Sequence, residues 1–353
     1  MCSGYYDYEA GYTPSWPGVE DFSGPIVHPQ FWPEELDYAG KRIVVIGSGA
    51  TAVTLVPALA ERAAQVTMLQ RSPSYIVSLP SVDRFANRMR RRLPGMLAHR
   101  IARWRSLMQS MYLFVVARRQ PAATRGAILA LTRSELGPGF DVERHFTPRY
   151  NPWEQRLCLV PDSDLFAAIR SGKASIVTDE IERFSEHGLR LCSGETLEAD
   201  IIISATGLVM RLLGGAQLLV DGALVEPGKT LSYKGMMMEG VPNAATAFGY
   251  TNASWTLKAE LIAAYVCRLL NHMDAHGYQQ CTPRGDATLT SEDALDFSSG
   301  YIRRAIHSLP RQGGRPPWRN HQNYLRDLLA MRFNKLDDGA MEFKAANPQA
   351  SGR

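Results

Sequence analysis

The stretch KRIVVIGSGATAVTLVPALA, Lys41 to Ala60, decides the fold. From Arg42 the run RIVVI is unbroken and β-branched, as a strand buried on both faces requires. Gly47, Ser48, Gly49, Ala50, Thr51 and Ala52 then spell GxGxxA, and the segment from Val53 and Thr54 onward reads as a helix. A second buried strand, QVTMLQ (Gln65 to Gln70), follows. Strand, glycine turn, helix and strand stand in the order of a βαβ dinucleotide-binding unit. Gly47 allows the tight turn, Gly49 lets the backbone approach a pyrophosphate, and Ala52 keeps the helix close to the strand. The N–H groups at the helix start hold the phosphate, so Gly47 to Thr54 is the expected cofactor-binding segment. A glycine turn in some other α/β protein is the bland alternative.

The second strand ends in Gln70, Arg71 and Ser72, where an NAD-specific unit carries an Asp or Glu for the ribose hydroxyls. Arg71 offers a planar cationic fork and Ser72 a hydroxyl, both suited to a 2′-phosphate. NADPH is therefore expected in preference to NADH. The competing reading is a solvated arginine at a strand end.

The whole chain has 353 residues, 45% hydrophobic and 21% charged, an ordinary globular composition with room for two domains. A net charge of +4 demands no nucleic acid. The five cysteines are scattered without CxxC spacing, which gives neither a metal site nor a disulfide framework and suits a reducing cytoplasm. The apolar run MYLFVVA is far too short to span a bilayer, and the first residues lack the succession of a signal peptide.

Upstream of the glycine turn lies FSGPIVHPQFWP, Phe22 to Pro33. Its prolines forbid a continuous helix, and Phe22, Phe31 and Trp32 demand burial, so an ordered connection is expected. Downstream, Arg84 to Ser134 contains no acidic residue and many arginines at helical spacing. This reads as an inserted pair or trio of helices with a basic face, solvated or interdomain, with weak membrane-surface contact or nucleic acid as the alternatives. Further on come a helix with Ser163 as its cap, a hairpin turning at Ser193 and Gly194, and a buried strand from Ile201 that stops at Gly207. Trp153 and Trp255 read as core aromatics, and Met236 to Met238 as packing or pocket lining.

With Phe22, Gly24, His28, Trp32 and Pro33 in the pattern FxGxxxHxxxWP, GxGxxA at Gly47, and SATG at the later strand end, the chain resembles the flavin-containing Baeyer–Villiger monooxygenases. The likeness covers nearly the whole chain. It implies an α/β, doubly wound, two-dinucleotide-binding-domain flavoprotein monooxygenase fold. Residues 1–20 would be a remnant of the FAD domain, 21–40 the interdomain fingerprint, 41–200 the NADPH-binding domain with a helical insertion at about 83–147, and 201–353 the return to the FAD domain and tail. The family's first GxGxxG, which binds FAD, has no counterpart in the sequence, so the FAD domain is expected to be incomplete.

The resemblance further implies FAD and NADPH as cofactors. Reduced flavin activates O2, and one oxygen atom is inserted beside a ketone carbonyl to give an ester or lactone; sulfur in thioamides and sulfides is oxidised similarly. Arg156, in NPWEQR, matches the family's active-site arginine, and the resemblance implies that His28 would tune the coupling of the two domains, whereas from the residues alone it reads as a satisfied structural histidine. From the residues alone, Arg156 reads instead as an ion-pair partner of Glu154 or Asp162. A non-catalytic NADPH-binding remnant and a basic surface-binding protein are the rival readings of the whole chain.

Overall fold

The computed structural model describes residues 1–155, 157–286, 288–293 and 299–345. It divides into two compact units, one of Tyr8–Met108 and Tyr112–Val209, the other of Met1–Asp7, Gln109–Met111 and Met210–Arg353. In chain order the first runs β1 (Ile26–Val27), β2 (Arg42–Ile46), α1 (Ala50–Ala60), β3 (Gln65–Gln70) and β4 (Ile76–Leu79). Helices α2 (Arg84–Arg92), α3 (Gly95–Arg119), α4 (Pro121–Leu136) and α5 (Val142–Phe146) follow. Then come β5 (Cys158–Pro161), α6 (Asp164–Arg170), β6 (Ala174–Thr178), β7 (Ile181–Ser185), β8 (Gly188–Leu191), β9 (Thr196–Glu198) and β10 (Ile201–Ser204).

Five strands form one parallel sheet in the order β1-β10-β2-β3-β6. The unbroken β-branched sequence of β2 follows from covering on both faces. Ile43 and Val45 pack with Ala52, Val53 and Val56 of α1 and with Leu165 and Phe166 of α6. Val44 and Ile46 point the other way, into a cluster with Phe184, Leu189 and Leu191. Those residues belong to a three-stranded antiparallel sheet, β7-β8-β9, which covers this second face.

An ion pair ties β10 to β2. Arg42 donates from Nη2 to Asp200 Oδ1 at 2.8 Å, and its backbone N–H donates to Asp200 Oδ2 at 2.8 Å. Hydrogen bonds from Arg42 hold the Asp200 carboxyl at about 2. A depressed carboxylate stabilises the fold above the ordinary aspartate value and loses that contribution as pH falls through the folded one. Asp200→Asn is therefore expected to lower the melting temperature near neutrality and to flatten its decline between pH 4 and about 2. Thermal melts across that window check it, and parallel curves for both proteins would refute it.

The basic segment is a trio of helices, α2 to α4, joined to α5. The chain leaves at β4 and returns at β5, which pair in parallel, Ile76 with Cys158 and Leu79 with Pro161. Leu129, Leu136, Val142 and Phe146 of α4 and α5 enter the main core. By contrast, α3 buries only Ala98, Leu107 and Ala117 among its residues. Ser163 does not cap α6: its backbone is left-handed (φ 61°), and its hydroxyl is held by Ser78 and Glu135. Asp164 Oδ1 instead accepts from Leu165 N at 2.6 Å.

In the second unit, α7 (Trp255–His276) packs on α8 (Tyr324–Arg332), and β11 (Tyr278–Pro283) pairs antiparallel with β12 (Met341–Ala345). Lys258, 3% exposed, pairs with Asp327 at 2.6 Å, and the Tyr250 hydroxyl donates to the same carboxylate at 2.8 Å. Burial lowers the lysine and raises the tyrosine. A buried cation needs such partners, because its desolvation is otherwise uncompensated. Trp255 is not in the core: it is 38% exposed and stacks on Tyr5, centroids 4.8 Å apart. Met236, Met237 and Met238 are buried.

Candidate nucleotide site at the glycine turn

The two glycines of the turn differ in what constrains them. Gly47 has φ 137°, and a Cβ there would lie 2.4 Å from the Ala205 carbonyl oxygen. Its N–H donates to Leu69 O at 2.8 Å. Both the conformation and the close approach require glycine. Gly49 is extended (φ −83°), and a Cβ there would meet nothing within 4 Å. The chain itself does not require glycine at this position, and the space beside it is open.

That space faces the start of α1. The helix has no side-chain cap and no acidic residue in its first turn. The N–H groups of Ala50, Thr51 and Ala52 thus lack intrahelical partners and sit at the positive end of the helix dipole. Ala52 and Val53 are 0% and 1% exposed, so their side chains pack on the sheet. Val53 N donates to Gly49 O at 3.1 Å, and Thr54 Oγ1 donates to Ala50 O at 2.8 Å. Ser48, Gly49, Ala50 and Thr51 are the members open to an anionic ligand.

The rim is fixed from β3. Ser48 Oγ donates to Ser72 O at 3.3 Å and lies 2.9 Å from Ser74 Oγ. Beneath it, the buried Cys158 thiol donates to Ser48 O at 3.8 Å. Gln70 points inward, its amide donating to His145 O at 2.7 Å and to Thr178 Oγ1 at 2.9 Å. Burial, followed by Arg144, holds the His145 imidazole below its ordinary value. Strand alternation then turns Arg71 outward, where it is exposed and has no ion-pair partner among the described residues. Ser72 is exposed beside it. The tie through Ser48 and Ser74 escaped the sequence reading, since two serines 26 residues apart carry no signal until the turn is built.

The FxGxxxHxxxWP residues lie in the same unit. Phe22 is buried against Phe184, and a Cβ at Gly24 would lie 2.4 Å from Asp200 O. Trp32 packs half-buried on the main core beside Tyr38, while Pro33 is exposed. Phe31 departs from expectation, remaining 49% exposed over the His28 ring because the Pro29–Phe31 turn points it outward. His28 Nδ1 accepts from Gln30 N at 3.2 Å, which leaves Nε2 as the donor to Gly207 O at 3.1 Å. A Cβ on Gly11 would fall 2.1 Å from this imidazole, so Gly11 makes room for it. Both ring nitrogens are engaged with backbone.

Arg156 lies outside the described residues. On its N-terminal side Trp153 is left-handed (φ 66°), and the Glu154 carboxylate accepts from Asn151 N at 2.9 Å. Those contacts hold Glu154 below the ordinary carboxylate range. Asp162 accepts from Ser81 N at 3.1 Å. In the Met210–Arg353 unit a cavity of about 60 Å³ is lined by Leu212, Ser232, Met238, Thr246, Phe248 and Leu309, so Met238 both packs and lines.

Comparison with known proteins gives consistent matches. Residues 1–112 match the flavin-binding monooxygenase-like family. The FAD-containing monooxygenase EthA of Mycolicibacterium smegmatis is 54% identical over 349 residues, covering 97% of this chain and 70% of the relative. The probable FAD-binding monooxygenase AlmA of Acinetobacter baylyi is 48% identical, over 97% of this chain and 69% of the relative. Among solved structures, OTEMO in complex with FAD and NADP superposes with a TM-score of 0.65 at 16% identity, covering 97% of this chain and 74% of OTEMO. That likeness is one of fold.

Proposed function

Because the chain belongs to the flavin-binding monooxygenase-like family, we propose that it is an FAD- and NADPH-dependent monooxygenase of the Baeyer–Villiger type. It takes a small ketone and O2 and yields an ester or lactone, or oxidises sulfur in a thioamide or sulfide. Residues 41–200 are the NADPH-binding domain in this reading, with 83–147 its helical insertion. The connection 21–40 joins it to FAD-domain segments at 1–20 and 201–353.

The observation that carries the coenzyme assignment is the open side of Gly49 beneath the uncapped start of α1, with Arg71 on the rim. A pyrophosphate fits there, accepting from backbone N–H groups, and Arg71 with Ser72 meets the 2′-phosphate. FAD, when bound, supplies the oxygen-activating chemistry. Arg156 supplies a charge that cannot be lost at working pH, beside the oxygen anions of the reaction. In this reading His28 holds the connection in place, both of its ring nitrogens being engaged with backbone.

Calorimetry with both coenzymes tests the assignment. NADPH is expected to bind more tightly than NADH by about ten- to a hundredfold, the worth of one charge-assisted phosphate contact. Arg71→Ala should erase most of that difference while leaving NADH unaffected. Equal affinities in the unmodified protein would overturn it.

A further inference from the structure

Helix α3 carries its large apolar residues on the wrong face for a core helix. Its buried residues are Ala98, Leu107 and Ala117. Leu97, Ile101, Trp104, Met108, Tyr112 and Val115 are instead 36% to 68% exposed. Steps of three and four residues bring all six onto one line along the helix. At 1.5 Å per residue the ribbon is roughly 27 Å long. Scattered exposed apolar residues need no explanation, but a continuous ribbon does.

The charge carried by helices α2 and α3 has one sign. Twelve arginines and no Asp or Glu lie between Arg84 and Ser134. Arg105 is engaged, 3.8 Å from Asp83 and over the Phe85 ring, which holds α2 against α3. Arg84, Arg88, Arg91, Arg92, Arg100 and Arg119 have no carboxylate partner among the described residues.

These two features select the occupant. A second copy would bring the same uncompensated arginines against themselves, and like charges repel. A nucleic-acid backbone would satisfy the arginines and leave the apolar ribbon in water. An anionic bilayer satisfies both, taking apolar side chains into the acyl boundary and arginines against headgroup phosphates. Tyr112, 68% exposed, suits that depth, having an apolar ring and a polar edge. We propose that α2 and α3 form a docking surface for an anionic lipid membrane. This is independent of the flavin reading.

Flotation of the full 353-residue chain with vesicles tests it. Vesicles of one part phosphatidylglycerol to two of phosphatidylcholine should bind at least about tenfold more protein than phosphatidylcholine alone, and about 0.5 M salt should reduce that difference. The double variant Met108→Ser/Tyr112→Ser should lose about tenfold on the mixed vesicles at an unchanged melting temperature, since both side chains are half or more exposed. Arg91→Glu/Arg92→Glu should abolish the preference for phosphatidylglycerol. Equal binding to both vesicle types, or none, would overturn the proposal. So would tight binding to duplex DNA retained by the serine variant, or concentration-dependent dimerisation that the serine variant loses.

Discussion

Gly49→Val is expected to weaken NADPH binding by about a hundredfold, the loss of one or two charge-assisted contacts to a pyrophosphate. Its melting temperature should stay close to that of the parent. The valine is compatible with an extended backbone, and its Cβ meets no atom of the chain. Gly47→Ala should behave in the opposite sense. Its Cβ would overlap the Ala205 carbonyl at a positive φ, costing about 3 kcal/mol or more in stability. Calorimetry and thermal melts on the pair separate a glycine kept for a ligand from one kept for the fold. If Gly49→Val binds NADPH like the parent, the site at α1 is wrongly placed.

Arg156→Ala should slow conversion of a ketone to its ester by about a hundredfold to a thousandfold in the FAD-loaded enzyme, the usual effect of removing one preorganised charge from an oxyanion. NADPH binding at Gly47 to Thr54 should survive, because that segment and the arginine serve separate steps. Arg156→Lys should recover little, since an ammonium lacks the planar fork of donors. Ester yield by gas chromatography, measured beside stopped-flow flavin reduction, distinguishes the two steps. An unchanged ester rate in Arg156→Ala would return that arginine to an ion-pairing role and send the search to other cations.

The glycine turn was legible because each of its signals is local. Arg42 to Ile46, Gly47, Gly49 and Ala52 sit within a dozen residues, and the strand period and glycine geometry need no tertiary knowledge. What covers each face was not legible, since Val44 and Ile46 are as apolar as Ile43 and Val45. Only the structure shows helices on one side and an antiparallel sheet on the other. Ser163 carries a good cap signal, but Ser78 and Glu135 take its hydroxyl. Phe31 and Trp255 were read as buried from size alone, whereas a turn and a stacked neighbour leave them partly in water. The outward ribbon on α3 was hidden for a related reason. Helical spacing shows that apolar residues share a face, and not which way that face looks.

The strand order carries a consequence for synthesis on the ribosome. Strands β1 and β2 follow one another in the chain, yet β10 lies between them. Until Ile201 to Ser204 have been translated, that slot is empty, and one edge of Ile43 to Ile46 shows its backbone groups to any passing strand. About 150 residues separate the two, which at typical elongation rates is on the order of 10 to 30 s. An open, wholly apolar edge held that long invites pairing with the wrong chain. Yield of native protein should therefore depend on chaperone supply and growth temperature more steeply than its final stability suggests.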